Sequence, residues 1–208
     1  MLNIFARASV ARAIQPLGER LARAGVSPNL VTVLGTVGAV AAAVAFLGRG
    51  QFFLGTLVVT VFVLFDLVDG ALARARDRSS PFGAVLDSTC DRVADAAIFG
   101  SLAWWYAGGG DSRALLLAAL LCLALSSLTS YIKARAEGVG LRCDVGIAER
   151  AERLIVVLVG TGLEGLGVPF ALAAALWLLA AASAVTVVQR IVEVRRQAAL
   201  VTSRPPAQ

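Results

Sequence analysis

Residues 66–95 read DLVDGALARARDRSSPFGAVLDSTCDRVAD. Five aspartates, Asp66, Asp69, Asp87, Asp91 and Asp95, fall where hydrophobic helices are expected. A carboxylate in hydrocarbon costs about 2.5–3.5 kcal/mol on insertion scales. Such a cluster needs a physical reason.

The chain around it is strongly apolar. It has 208 residues, 58% of them hydrophobic and 16% charged, with a mean hydropathy of +0.80. Soluble domains carry about 25% charged residues. A deficit concentrated in long uninterrupted runs points to an integral membrane protein, with the lipid bilayer as its surroundings and no nucleic-acid partner. There is no histidine, which removes the usual neutral-pH acid/base and most zinc sites. The three cysteines, Cys90, Cys122 and Cys143, lack metal-type spacing and read as free thiols. Lys133 is the only lysine among 19 basic residues.

Residues 2–25 place Leu2, Phe5, Val10, Ile14, Leu17 and Leu21 at helical spacing among Arg7, Arg12, Arg20 and Arg23. This predicts an amphipathic interfacial helix on an anionic leaflet, over residues 1–26. An Arg-rich transit peptide is the rival reading. Six transmembrane spans are expected within a membrane domain covering 27–197, in an all-α fold. They run over about 24–48, 52–73, 83–106, 114–132, 147–163 and 170–190. Ser27-Pro28 is a helix start, with Ser as N-cap and Pro at the first helical position. The fifth span reaches full length only by taking in Arg150 and Arg153. Residues 198–208 read as a disordered cytoplasmic tail.

All of the 19 basic residues except Arg49 and Arg113 fall on one side of this topology. The positive-inside rule then predicts a multi-pass protein of the cell membrane with both termini cytoplasmic. The aspartates fall at the cytoplasmic end of the bundle. Asp66 and Asp69 are three residues apart and share a helix face, and Asp87, Asp91 and Asp95 are four apart and share another. Anions facing one another repel, and divalent cations resolve the repulsion. Oxygen-only ligands suit Mg2+, Mn2+ or Ca2+. The rival reading pairs each Asp with a nearby Arg, such as Arg74 or Arg92. Gly70 admits either a ligand or a packed helix. The helix starts at Gly83 and at Ser27-Pro28-Asn29 could receive phosphate oxygens, and Arg74 could clamp a phosphate. Together these suggest transfer chemistry on a pyrophosphate.

The run Asp66-x2-Asp69-Gly70-x2-Ala73-Arg74-x8-Gly83-x3-Asp87-x3-Asp91 resembles the signature of the CDP-alcohol phosphatidyltransferase family, matched at every position. The resemblance implies that Asp66, Asp69, Asp87 and Asp91 hold two Mg2+ or Mn2+ ions on the pyrophosphate of CDP-diacylglycerol. It implies that Asp91 is also the general base, taking the proton of the acceptor hydroxyl. It assigns donor-substrate contacts to Gly70, Arg74, Ser80, Gly83 and the stretch Asn29, Leu30, Val31 and Thr32. For Asn29 and Thr32 helix capping is an equal reading. A homodimer is implied by the family alone, and an active site facing the cytoplasm follows from the topology.

The signature leaves the acceptor open. Lys133, Arg135, Arg142, Arg150 and Arg153 lie around the connection from span four to span five, and Arg190 ends span six. Such a cluster favours a phosphorylated alcohol over serine or free inositol. Its rival reading is topology charge in contact with anionic lipid. Lys133, Arg153 and Arg190 are the expected acceptor-phosphate ligands. The segment around Lys133 with GIAERAER resembles the bacterial phosphatidylinositol phosphate synthases within that family, whose acceptor is inositol 1-phosphate. The alternatives are a phosphatidylglycerophosphate synthase using glycerol 3-phosphate and, from another class, a divalent-cation transporter.

Overall fold

The computed structural model describes residues 25–75 and 80–202, with side chains over 25–65 and 80–200. Every regular element among them is helical. They are α1 (Pro28–Phe46), a 3-10 turn (Leu47–Arg49), α2 (Phe52–Ala75), α3 (Pro81–Ala107), α4 (Arg113–Gly138), α5 (Arg150–Gly165) and α6 (Ala171–Thr202). The interfacial helix expected over 1–26 lies, but for its last two residues, outside the described residues.

Among the described residues three segments are long and apolar enough to cross a membrane: Pro28–Arg49, Arg113–Gly138 and Ala171–Leu200. Helix α3 has the length, at 27 residues, but carries Asp87, Asp91, Arg92 and Asp95. Helix α5 has only 16 residues. At 1.5 Å per residue it spans about 24 Å, short of a hydrocarbon core of about 30 Å. It starts at Arg150 rather than near 147. The Arg153 amide donates to the Glu149 carbonyl at 3.1 Å, which makes Glu149 the N-cap, and the Ala148 carbonyl accepts from the Arg153 side chain instead. At the other end, α6 extends through 198–202, which the sequence reading gave to a disordered tail. The run from Gln197 to Thr202 contains no Gly or Pro to stop a helix. Residues 203–208 lie outside the described residues.

The chain divides into two compact units, 1–98 and 99–208, with the division inside α3. In the first unit α1 packs on α2. The buried positions of α1 are Val31, Thr32, Gly35, Ala39, Ala42 and Ala43, almost all small. Its large residues Leu30, Leu34, Val37 and Val44 point outward. That is the reverse of a soluble helix. Lipid tails are as apolar as leucine, so helices associate where small residues let backbones approach. A Cβ on Gly35 would stand 2.9 Å from Phe65 Cβ and 3.3 Å from the Phe62 carbonyl. Ser27 holds the N-cap position of α1 as expected, but its side chain makes no cap hydrogen bond.

In the second unit α6 packs on both α4 and α5. The buried face of α4 runs through Ala118, Ala119, Cys122, Ser126, Thr129 and Ala136. Against α6, Cys122 Sγ donates to the Leu176 carbonyl at 3.2 Å. Glu164, at the end of α5, accepts from the Leu172 amide at 3.1 Å and satisfies the first turn of α6. Gly160 is where α5 meets α6: a Cβ there would collide with Ala175 Cβ and lie 3.2 Å from the Ala171 carbonyl.

Gly160→Ala should lower stability in detergent by about 1–3 kcal/mol, because neither the Ala175 Cβ nor the Ala171 carbonyl can move aside by a rotamer change. Gly100→Ala, whose added Cβ meets nothing within 4 Å, should be neutral or stabilising by up to about 1 kcal/mol. Thermal unfolding of both variants in one detergent checks this, and equal midpoints would contradict the α5–α6 contact.

Candidate active site

The residues expected to hold the donor substrate all fall in the first unit. Asp66, Asp69, Gly70 and Arg74 lie on the backbone of α2, and their side chains are outside the described residues. Ser80 stands immediately before α3 and caps it: the Gly83 amide donates to Ser80 Oγ at 2.9 Å. Pro81 follows at the first helical position, where its missing N–H costs nothing. Asn29, in the first turn of α1, approaches the same point. A Cβ on Gly83 would lie 3.1 Å from Ser80 Oγ and 3.4 Å from Asn29 Oδ1. The structure thus brings Asn29, Ser80 and Gly83 together at the start of α3.

The other three residues of the α1 stretch differ from Asn29. Leu30 is half exposed, Val31 is buried, and Thr32 donates back to the Pro28 carbonyl at 3.1 Å. Thr32 therefore bonds back within its own helix, which is not a cap of the helix start.

Asp87 and Asp91 stand one turn apart on α3. Asp87 is exposed, while the Asp91 side chain is 15% exposed. Arg92 Nη1 lies 3.5 Å from Asp91 Oδ2 and also donates to the Ser88 carbonyl at 2.6 Å. The pairing of an aspartate with Arg92 is thus present at Asp91, at a long distance and with a shared guanidinium. Asp95, a turn deeper, is buried at 6% exposure. Hard carboxylate oxygens, two of them one turn apart on a single helix, fit Mg2+ or Mn2+ by ligand chemistry.

The expected acceptor ligands fall in the second unit. Arg153 occupies the first turn of α5 rather than the interior of a span, and it is nonetheless only 3% exposed. Its Nη1 donates to the Ala148 carbonyl at 2.9 Å and to Thr129 Oγ1 at 3.3 Å. Arg190 on α6 is 5% exposed. Its Nε donates to the Val145 carbonyl at 2.9 Å and its Nη1 to the Thr129 carbonyl at 2.5 Å. These guanidiniums are buried and anchored, which sets aside contact with anionic lipid as their role. Lys133 is different. It is half-buried and pairs with Asp144 at 2.7 Å, with Glu137 at 3.8 Å. The Lys133 ammonium holds the Asp144 carboxyl below the usual range, first by its hydrogen bond and then by its charge. A lowered carboxylate pKa means the pair persists above the ordinary carboxylate range and is lost only as pH falls through the lowered value.

The connection over 139–149 is the frame of this region. The Arg142 amide donates to Gln197 Oε1 at 3.0 Å, and Gln197 Nε2 donates back to the Arg142 carbonyl at 2.6 Å. Arg190 takes Val145, and Thr186 takes the Ala148 amide. Gly146 makes the fit possible: its φ is +139°, and a Cβ would stand 2.5 Å from Thr186 Cγ2. Cys143 is fully buried within the loop, and that burial pushes its thiol up against the pull of Arg190 and Lys133.

Sequence reading missed Thr129, Asp144, Gly146, Thr186 and Gln197. One signal was available. Ser126, Thr129 and Lys133 recur at helical spacing, so they share a face. Nothing in the spacing tells which backbone carbonyls meet the two arginines.

Residues 25–188 match the family of CDP-alcohol phosphatidyltransferases, and the chain belongs to that family. It is 52% identical over 206 residues to a phosphatidylinositol phosphate synthase of Streptomyces avermitilis, covering 96% of this chain and 84% of the relative. It is 48% identical over 196 residues to that of Mycobacteroides abscessus, covering 94% and 89%. The fold matches the crystal structure of the Mycobacterium tuberculosis phosphatidylinositol phosphate synthase with CDP-diacylglycerol bound. That match has a TM-score of 0.84 at 49% identity, over 88% of this chain and 94% of that one. The same enzyme in complex with manganese and citrate gives 0.83 at 49% identity, over 87% and 88%.

Gly146→Ala should cost roughly 2–4 kcal/mol, combining a strained backbone with the clash on Thr186. Limited proteolysis should then cut within 139–149, where the parent protein resists. Unchanged resistance would show that the loop is not held through Gly146.

Proposed function

We propose that this chain transfers the phosphatidyl group of CDP-diacylglycerol to inositol 1-phosphate, giving phosphatidylinositol phosphate and CMP. The observation that carries the acceptor is the buried, anchored pair Arg153 and Arg190 in a member of this family. A fixed dication suits a phosphorylated alcohol and has no use for serine or free inositol. The names of relatives at about half identity over nearly the whole chain support the same acceptor.

Asp66, Asp69, Asp87 and Asp91 would hold two Mg2+ or Mn2+ ions. When bound, such ions supply positive charge that offsets the pyrophosphate and stabilises the departing phosphate. The manganese in the M. tuberculosis enzyme supports this assignment. Asn29, Ser80 and Gly83, gathered at the start of α3, would orient the donor, with Gly70 and Arg74 on its nucleotide part. Leu30, Val31 and Thr32 bring backbone and packing rather than polar side chains. Asp91 is the general base in this reading. It takes the proton of the acceptor hydroxyl as that oxygen bonds to the lipid-bearing phosphorus. The phosphoanhydride bond breaks, and CMP leaves with its electron pair. Lys133, Arg153 and Arg190 bind the acceptor phosphate.

The same reading places six spans in the cell membrane, with both termini and the active site cytoplasmic and an interfacial helix over 1–26. The membrane domain covers 27–197, α6 continues past it through Thr202, and a homodimer is the expected assembly.

CMP release with CDP-diacylglycerol and Mg2+ or Mn2+ should require inositol 1-phosphate. Glycerol 3-phosphate, inositol and serine should give none. Release with glycerol 3-phosphate instead would overturn the acceptor and keep the aspartate chemistry. Chelation of the metal should abolish turnover, and either ion should restore it. Asp91→Asn should lower kcat by about 10²–10⁴-fold. Arg153→Ala should raise KM for the acceptor and leave that for the lipid donor nearly unchanged.

A further inference from the structure

We infer that Thr129 is a positioning residue that aims both acceptor-phosphate arginines. The inference rests on the acceptor-site reading of Arg153 and Arg190. It extends that reading to a residue that would not itself touch substrate.

Thr129 is fully buried on α4, one turn before Lys133. Its hydroxyl proton is committed, since Oγ1 donates to the Ser126 carbonyl at 2.9 Å. A hydroxyl has one donor and two acceptor positions, so a donor fixed in this way turns the lone pairs in a set direction. Arg153 Nη1 lies in that direction at 3.3 Å. The carbonyl of the same residue accepts from Arg190 Nη1. Arg153 comes from α5 and Arg190 from α6. Two guanidiniums from different helices therefore end on one residue of a third.

The chemistry of Thr129 matters as much as its place. Two buried cations repel, and each needs acceptors to be tolerated out of water. A carboxylate at this point would neutralise them and compete with an incoming phosphate. Thr129 offers only uncharged oxygens, so it directs both guanidiniums without cancelling their charge. Lys133 shows the contrast, because its close partner is the carboxylate of Asp144. The carbonyl at 129 belongs to the helix backbone and survives any substitution. The hydroxyl does not, so side-chain variants probe the Arg153 arm alone.

The test is steady-state CMP release by the full chain in detergent, varying inositol 1-phosphate and CDP-diacylglycerol in turn. Thr129→Val keeps the shape and removes the hydroxyl. It should raise KM for inositol 1-phosphate about tenfold, the effect of losing one hydrogen bond to a charged group. Its kcat and its KM for CDP-diacylglycerol should stay within about twofold. Thr129→Ser, which restores the hydroxyl, should return the acceptor KM to within about twofold of the parent. Because Thr129 acts through Arg153, adding Thr129→Val to Arg153→Ala should raise KM no further.

If Arg153→Ala raises the acceptor KM while Thr129→Val leaves it alone, the inference on Thr129 fails and the acceptor site stands. Equal rises in both KM values, or no rescue by serine, would reduce Thr129 to a packing residue and overturn it as well. If Arg153→Ala itself leaves the acceptor KM unchanged, the acceptor-site reading falls and takes the inference with it.

Discussion

The second half of this protein depends on how two buried positive charges are accommodated. A guanidinium out of water must find oxygen partners, and the ones available here are largely backbone carbonyls. Arg153 reaches the carbonyl of Ala148, and Arg190 reaches those of Val145 and Thr129. Those bonds hold the 139–149 connection against α6 and tie it to α4. The loop in turn bears on where α5 begins, because the Ala148 carbonyl goes to the Arg153 guanidinium and the first helical carbonyl is that of Glu149. Charge, loop and helix boundary are one solution to one constraint.

Packing among the helices follows a different rule from that of a soluble domain. Small residues dominate the inward face of α1, and its Leu30, Leu34, Val37 and Val44 face out. Gly160 does the same service between α5 and α6. Where surroundings are as apolar as the side chains, burying a leucine gains little. Close van der Waals contact then decides which face meets a neighbour, and glycine and alanine permit it. The polar groups left on inward faces, such as Cys122, Thr129 and Thr186, find backbone carbonyls instead of water.

The donor side is built more simply. Ser80 caps α3, Pro81 starts it, and Asn29 arrives from α1 beside Gly83. The helix start thereby presents a hydroxyl, an amide side chain and a residue without Cβ at one point. One and two turns further on, α3 carries Asp87 and Asp91, placing carboxylates on the helix that begins at that point. In the proposed reading that helix start would receive a phosphate and the carboxylates would hold metal, a coherent arrangement for chemistry on a pyrophosphate.

The sequence by itself determined the helical class, the family and the candidate carboxylates. Hydropathy runs, the spacing from Asp66 to Asp91 and the Ser27-Pro28 helix start are local properties, legible one or two turns at a time. It also picked out Arg153, expected inside span five, and Arg190, at the end of span six. Only the tertiary structure decided what those arginines meet. It moved the start of α5 to Arg150, carried α6 through Thr202, and revealed Thr129 and Gln197 as anchors. The physical reason is range. A helix is written in contacts three and four residues apart, whereas Thr129 and Arg190 are 61 residues apart in the chain. Which carbonyl a buried cation finds is settled only when separate helices and a loop pack together.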